Sequence, residues 1–320
     1  MARFVLRRLA GMIAVLFAVS VIIFLVFNVV PATNPAQLLA GKNSTPTLVK
    51  SIEEEWGFDD SLPQQYVTMM KKVFTGELTS YKPRISVDEQ IAERIPATLS
   101  LSIGAGLIWL FFGLLLGYFS ALRAGGWLDR LLTAVSVAGI SIPVFLIAPV
   151  LIYFLTYKVE IFPNGSYVPL TEDPWEWLTH LILPWVTLAI LSVGFYSRVL
   201  RSNMLDAMNE DYVRTARAKG LSERKVMTRH VLRNSLIPII TLFGLDFGAT
   251  IAGTAIITEV LYNLNGVGSY AAEAAVKFEL PPIMGVTLYG AFFVVLVNTI
   301  VDIVYAYLDP RVRLGEAAAA

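Results

Sequence analysis

The chain has 320 residues, 56% of them hydrophobic, with 25 basic and 25 acidic side chains and a mean hydropathy of +0.63. Such a composition excludes an ordinary soluble domain, and a formal charge of zero removes any bulk attraction to nucleic acid. The absence of cysteine and the presence of only His180 and His230 exclude a disulfide framework and any thiolate or histidine metal cluster, so no metal site is predicted.

Arg3, Arg7 and Arg8 precede an apolar run over 9–30, which is longer than the hydrophobic region of a signal peptide and is read as the first membrane span, ended by Pro31. Further runs over 98–122, 131–157, 181–200, 236–261 and 283–308 approach the roughly 20 apolar residues a spanning helix needs. The predicted fold class is therefore all-α, a polytopic membrane protein with six transmembrane helices and no separate soluble domain. Pro143 and Pro149 interrupt the third run and Pro184 the fourth. Proline is tolerated there when neighbouring helices satisfy the freed carbonyls, which argues for a packed bundle.

Lys and Arg are concentrated in the amino tail, 123–130, 198–233 and the carboxyl tail, whereas the other connections are rich in Asp and Glu. By the positive-inside bias, both termini and the 201–235 loop are expected on the cytoplasmic side of the cell membrane. Residues 32–97 form the one sizeable extracytoplasmic insertion. Glu53–Phe58, Leu62–Tyr66 and the spacing of Val67, Met70, Val73 and Phe74 predict short helices there.

The most polar stretch between two apolar runs is Glu210, Asp211, Tyr212, Val213, Arg214, Thr215, Ala216, Arg217, Ala218, Lys219, Gly220 and Leu221. Asn209 is the expected N-cap, Glu210 and Asp211 fall in the first turn, and Gly220 supplies a left-handed stop. Ser222 then caps a second helix with Glu223 in its first turn. Val213, Ala216 and Gly220 form a stripe of modest side chains that another surface can approach. Arg214 and Arg217, three apart, repel unless an external acid pairs them. The plainer alternative is a solvated loop helix whose charges only hold it in water.

Three acids fall inside apolar runs: Asp246, Glu259 and Asp302. A lone carboxylate at mid-bilayer costs roughly 2.5–3.5 kcal/mol on insertion scales, so each must face protein or water. Asp246, near the middle of the fifth run, either lines a solute path or bonds to a neighbouring helix. Glu259, at the outer end and beside Gly266 and Gly268, suggests a gate or turn. It is not a phosphate loop, because the lysine and hydroxyl of a P-loop are missing. Asn298 and Asp302 share one face and read as helix-to-helix bonding, and Gly244 with Gly248 as a packing surface.

The wording Tyr212–Leu221, followed by Arg229–Asn234 and Pro238, resembles the EAA loop of ABC-importer permeases, in the variant of the dipeptide/oligopeptide/nickel branch. Arg214 and Thr215 stand where the general pattern has Glu and Ala. The elements Gly57–Tyr66, Gly76–Ser80, Glu259–Gly268 and Asn298–Arg313 occur in that branch's order, with Asn265 replacing a usual proline and Pro31–Pro35 a usual PGDP.

The resemblance covers nearly the whole chain. It implies a single permease domain over 1–320 with a type I importer fold. It further implies a second homologous permease, two ATP-binding subunits coupled through 211–221, and an extracytoplasmic solute-binding protein. No catalytic residue and no cofactor are expected on this chain, ATP-Mg belonging to the partner subunits. Peptides are the leading solute, with nickel complexes and glutathione as alternatives. An ion-coupled secondary transporter, using Asp246 or Glu259, is the competing class, and it gives no reason for the 210–234 knob.

Overall fold

The computed structural model describes residues 2–26, 36–37, 45–80, 85–163, 165–277 and 279–308. The described residues are helical throughout, apart from connections and an isolated bridge between Thr79 and Ser86. The chain divides into two compact units, Met1–Leu99 with Ile251–Thr299 and Ser100–Thr250 with Ile300–Ala320. Among the described residues, five helices are long and apolar enough to cross a membrane: α1 (Ala2–Phe24), α4 (Val87–Leu122), α7 (Pro174–Met208), α9 (Glu223–Thr254) and α12 (Leu280–Leu308). A sixth crossing is composite, α5 (Trp127–Ser141) and α6 (Val144–Lys158) meeting at a bend of 99°. The bend falls at Ile142–Pro143, both extended, because proline cannot continue the hydrogen-bond ladder of the preceding helix.

In the first unit, α2 (Pro46–Trp56) and α3 (Leu62–Thr75) follow α1. Both are punctuated as their sequences dictate, with Thr45 accepting from the Leu48 amide, prolines in the first turns, and Gly57 and Gly76 in left-handed C-caps. After the carboxyl end of α9 come α10 (Ile256–Leu261) and α11 (Val267–Lys277). Gly253, at φ 125°, permits the kink that separates α9 from α10. Small residues bring backbones together here, as expected where lipid removes the hydrophobic drive between helices. A Cβ on Gly290 would lie 2.8 Å from the Ala252 carbonyl oxygen, and one on Gly285 2.7 Å from Val87 Cγ1.

In the second unit α7 is the central helix. Asp173 caps it by accepting from the amides of Trp175 and Glu176 at 2.8 and 3.0 Å, with Pro174 at the first position. Its small residues receive two neighbours. A Cβ on Gly194 would lie 2.5 Å from the Ser136 carbonyl oxygen of α5, and Ser136 shares a 2.7 Å hydrogen bond with Ser197. On the α4 side, Cβ atoms on Gly113 and Gly117 would lie 2.7 Å from Tyr196 Cβ and 2.6 Å from the Ser197 carbonyl oxygen. Gly244 of α9 takes Val301, whose Cγ2 would be 2.2 Å from a Cβ, so the Gly244 part of the expected glycine surface is a packing contact within the chain.

Candidate coupling segment and membrane carboxylates

Asn209 closes α7 rather than capping the next helix, its amide donating back to Ala207 and Asp206. The cap of α8 (Asp211–Ala218) is Glu210, extended at φ −72° and ψ 149°. The helix therefore starts where its acids can meet its positive end, with Asp211 in the first turn. Gly220 adopts φ 75°, as its left-handed stop requires, and Ser222 precedes α9.

The expected stripe is not a free surface. Val213 and Ala216 are 0% and 4% exposed, packed against the wide π-type turns of Val226–Leu232, where Val226, Met227 and Val231 are buried as well. An eight-residue helix has no core of its own, so its few apolar side chains seek the nearest apolar wall, and here that wall belongs to this chain. The outward face comprises Asp211, Tyr212, Arg214, Thr215, Arg217, Ala218, Lys219 and Gly220, with Leu221 half-buried.

Nor are the two arginines unpaired. Arg214 donates to Asp211 at 3.2 Å, and Arg217 donates to both oxygens of Glu223 at 2.7 and 3.2 Å. The Gly220 corner turns the chain back far enough to bring Glu223 alongside, and the hydrogen bond from Arg217 to it holds this guanidinium above its usual pKa. The ion pair is exposed and contributes little to stability on its own. Geometrically it is a strap across the corner.

Asp246 is half-buried and accepts a 2.8 Å hydrogen bond from the fully buried Tyr196 hydroxyl. Tyr196 is in turn walled by Trp109, which meets Phe243 edge-on. One carboxylate oxygen is thus held by an apolar-walled phenol, while the side chain retains some exposure.

Glu259 is 0% exposed. It accepts from the Thr98 hydroxyl at 2.7 Å and from the Ser269 amide at 2.8 Å, and Thr98 accepts from the Val267 amide at 2.8 Å. The glycines beside it exist for this approach: a Cβ on Gly266 would lie 2.3 Å from Glu259 Cδ, and one on Gly268 would lie 2.8 Å from Ile256 Cγ1 and 3.0 Å from Glu259 Oε2. Asn265 has φ 50°, which proline's ring forbids, so the departure from the usual proline has a backbone reason. One turn before Thr98 on α4, the Arg94 guanidinium stacks over the Tyr270 ring at 4.9 Å, and burial raises the Tyr270 phenol above its usual range. The result is a polar latch that ties the start of α11 to α4. The Asp302 side chain and the 309–313 part of the carboxyl-terminal pattern lie outside the described residues.

Asp129 belongs to none of the motifs read from the sequence. This residue is 4% exposed and accepts two hydrogen bonds from Arg201, at 2.6 and 2.7 Å, one from the Gly125 amide at 2.8 Å, and one from Ser120. The end of α4, the start of α5 and the shaft of α7 are joined at this one carboxylate. Its only signal in the sequence was an acid among the basic residues of a short loop.

Five long apolar helices, a broken sixth, and a braced polar helix between two of them define a multi-pass helical membrane protein. The chain belongs to the family of binding-protein-dependent transport system inner membrane components: that family matches residues 113–314, and its N-terminal membrane component matches residues 1–102. It is thus a membrane permease component of an ABC transporter. A Sinorhizobium fredii protein whose name reads "probable peptide ABC transporter permease protein" is 35% identical over 314 residues, covering 98% of this chain and 100% of that one. The dipeptide transport system permease of Bacillus subtilis is 32% identical over 316 residues, covering 98% and 99%. The glutathione transport system permease of Escherichia coli is 33% identical over 315 residues, covering 98% and 99%. Among solved structures, the inward-facing methionine ABC transporter MetNI matches with a TM-score of 0.57 over 68% of this chain and 96% of that chain, at 15% identity. That likeness bears on the fold alone, which is the type I importer permease fold.

Proposed function

We infer that this chain is one of two homologous permeases of an ATP-driven importer of di- or oligopeptides. The path runs between the two permeases. ATP-Mg is bound and hydrolysed by two ATP-binding subunits, and an extracytoplasmic binding protein delivers the solute. The names of its full-length relatives support the solute class, and the basic loops support cytoplasmic termini. Energy enters through 211–221, and the observation that carries this is the bracing of α8. With Val213 and Ala216 buried on Val226–Leu232, and Arg217 strapped to Glu223, a push on its exposed face moves the ends of α7 and α9 together. A loose loop would absorb that push; a packed corner transmits it. Asp246 lines the path, and the Glu259 latch with Gly266 and Gly268 positions the outer gate.

The test is co-purification of the four membrane-associated subunits, reconstitution with the binding protein, and ATPase assay with a panel of dipeptides. Stimulation by at least one dipeptide is expected. Stimulation confined to nickel complexes or glutathione would replace the solute, and transport that persists without ATP would overturn the reading.

A further inference from the structure

The helix α3 has apolar side chains on two faces, and only one is covered by the described residues. On the covered side Tyr66 shares a 2.7 Å hydrogen bond with Ser20 of α1, its ring meets Phe17 and Phe24 edge-on with centroids 6.1 and 5.6 Å away, and Met69 is 2% exposed. On the other side Val67 and Phe74 are 63% and 83% exposed, with Met70 partly exposed between them. Steps of three and four residues put these three on one stripe, with exposed Lys71 beside it. The register is well fixed, because Gln64 accepts from the Ser61 amide and hydroxyl at 3.2 and 2.7 Å at one end and Gly76 caps the other.

The depth of this helix follows from its partner. Phe17, Ser20 and Phe24 lie within Leu6–Phe24, one of the membrane-crossing segments. At about 1.5 Å per residue they stand roughly 13 to 24 Å along the helix from Arg8, against a hydrocarbon thickness of about 30 Å. Tyr66 therefore docks in the half of the bilayer remote from the basic amino terminus. At that depth the medium available to its free side is lipid.

We propose that α3 is an interfacial helix inserted into the leaflet opposite the amino terminus, with Val67, Met70 and Phe74 among the acyl chains. Lys71 reaches from the edge of the stripe to the phosphates, its aliphatic stem lying along the apolar surface. The helix then anchors the insertion between α1 and α4 in the membrane plane.

The chain contains no cysteine, so single-cysteine variants report one position each. Val67→Cys, Met70→Cys, Phe74→Cys and, from the polar side, Thr68→Cys and Thr75→Cys are labelled with a nitroxide. The full chain, with the subunits that co-purify with it, is placed in phosphatidylcholine–phosphatidylglycerol vesicles. Collision rates are then measured with oxygen, which concentrates in lipid, and with a neutral nickel chelate, which stays in water. The expected result is an oxygen-to-nickel ratio several-fold higher at 67, 70 and 74 than at 68 and 75. A nickel-dominated ratio at all three stripe positions would mean water covers the face, and loss of both collisions would mean a protein subunit does. Either result overturns the proposal.

Discussion

Arg201 grips both oxygens of Asp129, at 2.6 and 2.7 Å, across 72 residues of sequence. The pair joins three helices of the second unit just before α7 leads into α8. Removing Arg201 strands the buried Asp129 carboxylate, a loss of about 3–5 kcal/mol in well-buried cases, whereas Arg201, its side chain 30% exposed, loses less when Asp129 is removed. Arg201→Ala should lower the detergent melting temperature markedly, and Asp129→Ala by less. Swapping the two residues should recover part of the loss, because the geometry is bidentate. Unchanged melting in both single variants would show that water already shares the site.

Gly220 is open around its Cα, so a side chain there meets no neighbour, and only its φ of 75° resists. Gly220→Ala should cost about 1–2 kcal/mol of left-handed strain, and Gly220→Val more. The check is uptake per inserted molecule, which should fall in the order glycine, alanine, valine. Equal uptake by all three would show that the corner is not held in this conformation during transport.

Gly266 is the converse case, constrained by contact. Gly266→Ala pushes a methyl into Glu259 and should detach the latch of Glu259, Thr98 and Ser269. Uptake should fall together with protease resistance of the α10–α11 connection. The conservative Thr98→Ser keeps the hydroxyl and should behave as the wild type. A Gly266→Ala protein with full uptake and resistance would remove Glu259 from the gate.

For Asp246, Asp246→Asn keeps an acceptor for the Tyr196 hydroxyl and nearly the same volume. Melting should therefore stay within a degree or so while solute flux per folded complex falls. Lowered melting with unchanged flux would make Asp246 a structural bond only.

Much of this architecture is legible in the sequence. Hydropathy carries the spans because a bilayer demands long uninterrupted helices, and Gly220 is legible because only a left-handed residue fits between a helix end and Ser222. The facing of α8 was not legible. A small-residue stripe says that something packs there but not which chain supplies it, and Val213 and Ala216 turned out to face their own Val226–Leu232. The arginine doublet failed for a related reason, since Glu223 reaches Arg217 only once the corner has formed. Pro143 announced a break in the third span without its 99° bend, which depends on both flanking helices. The Asp129–Arg201 pair left no local trace, because each residue alone looks like a charge at a membrane edge.

In the proposed coupling the exposed face of α8 meets the ATP-binding subunits, and retention of those subunits by the purified permease measures that contact most directly. Ala218 is exposed, so Ala218→Trp leaves the helix's own packing intact while obstructing whatever docks there; Ala216→Trp, by contrast, would disturb the buried side. Ala218→Trp, inserted and monodisperse at wild-type levels, should lose most of the bound ATP-binding subunits and all solute-stimulated ATP hydrolysis. Wild-type retention with wild-type stimulation would contradict coupling through this face.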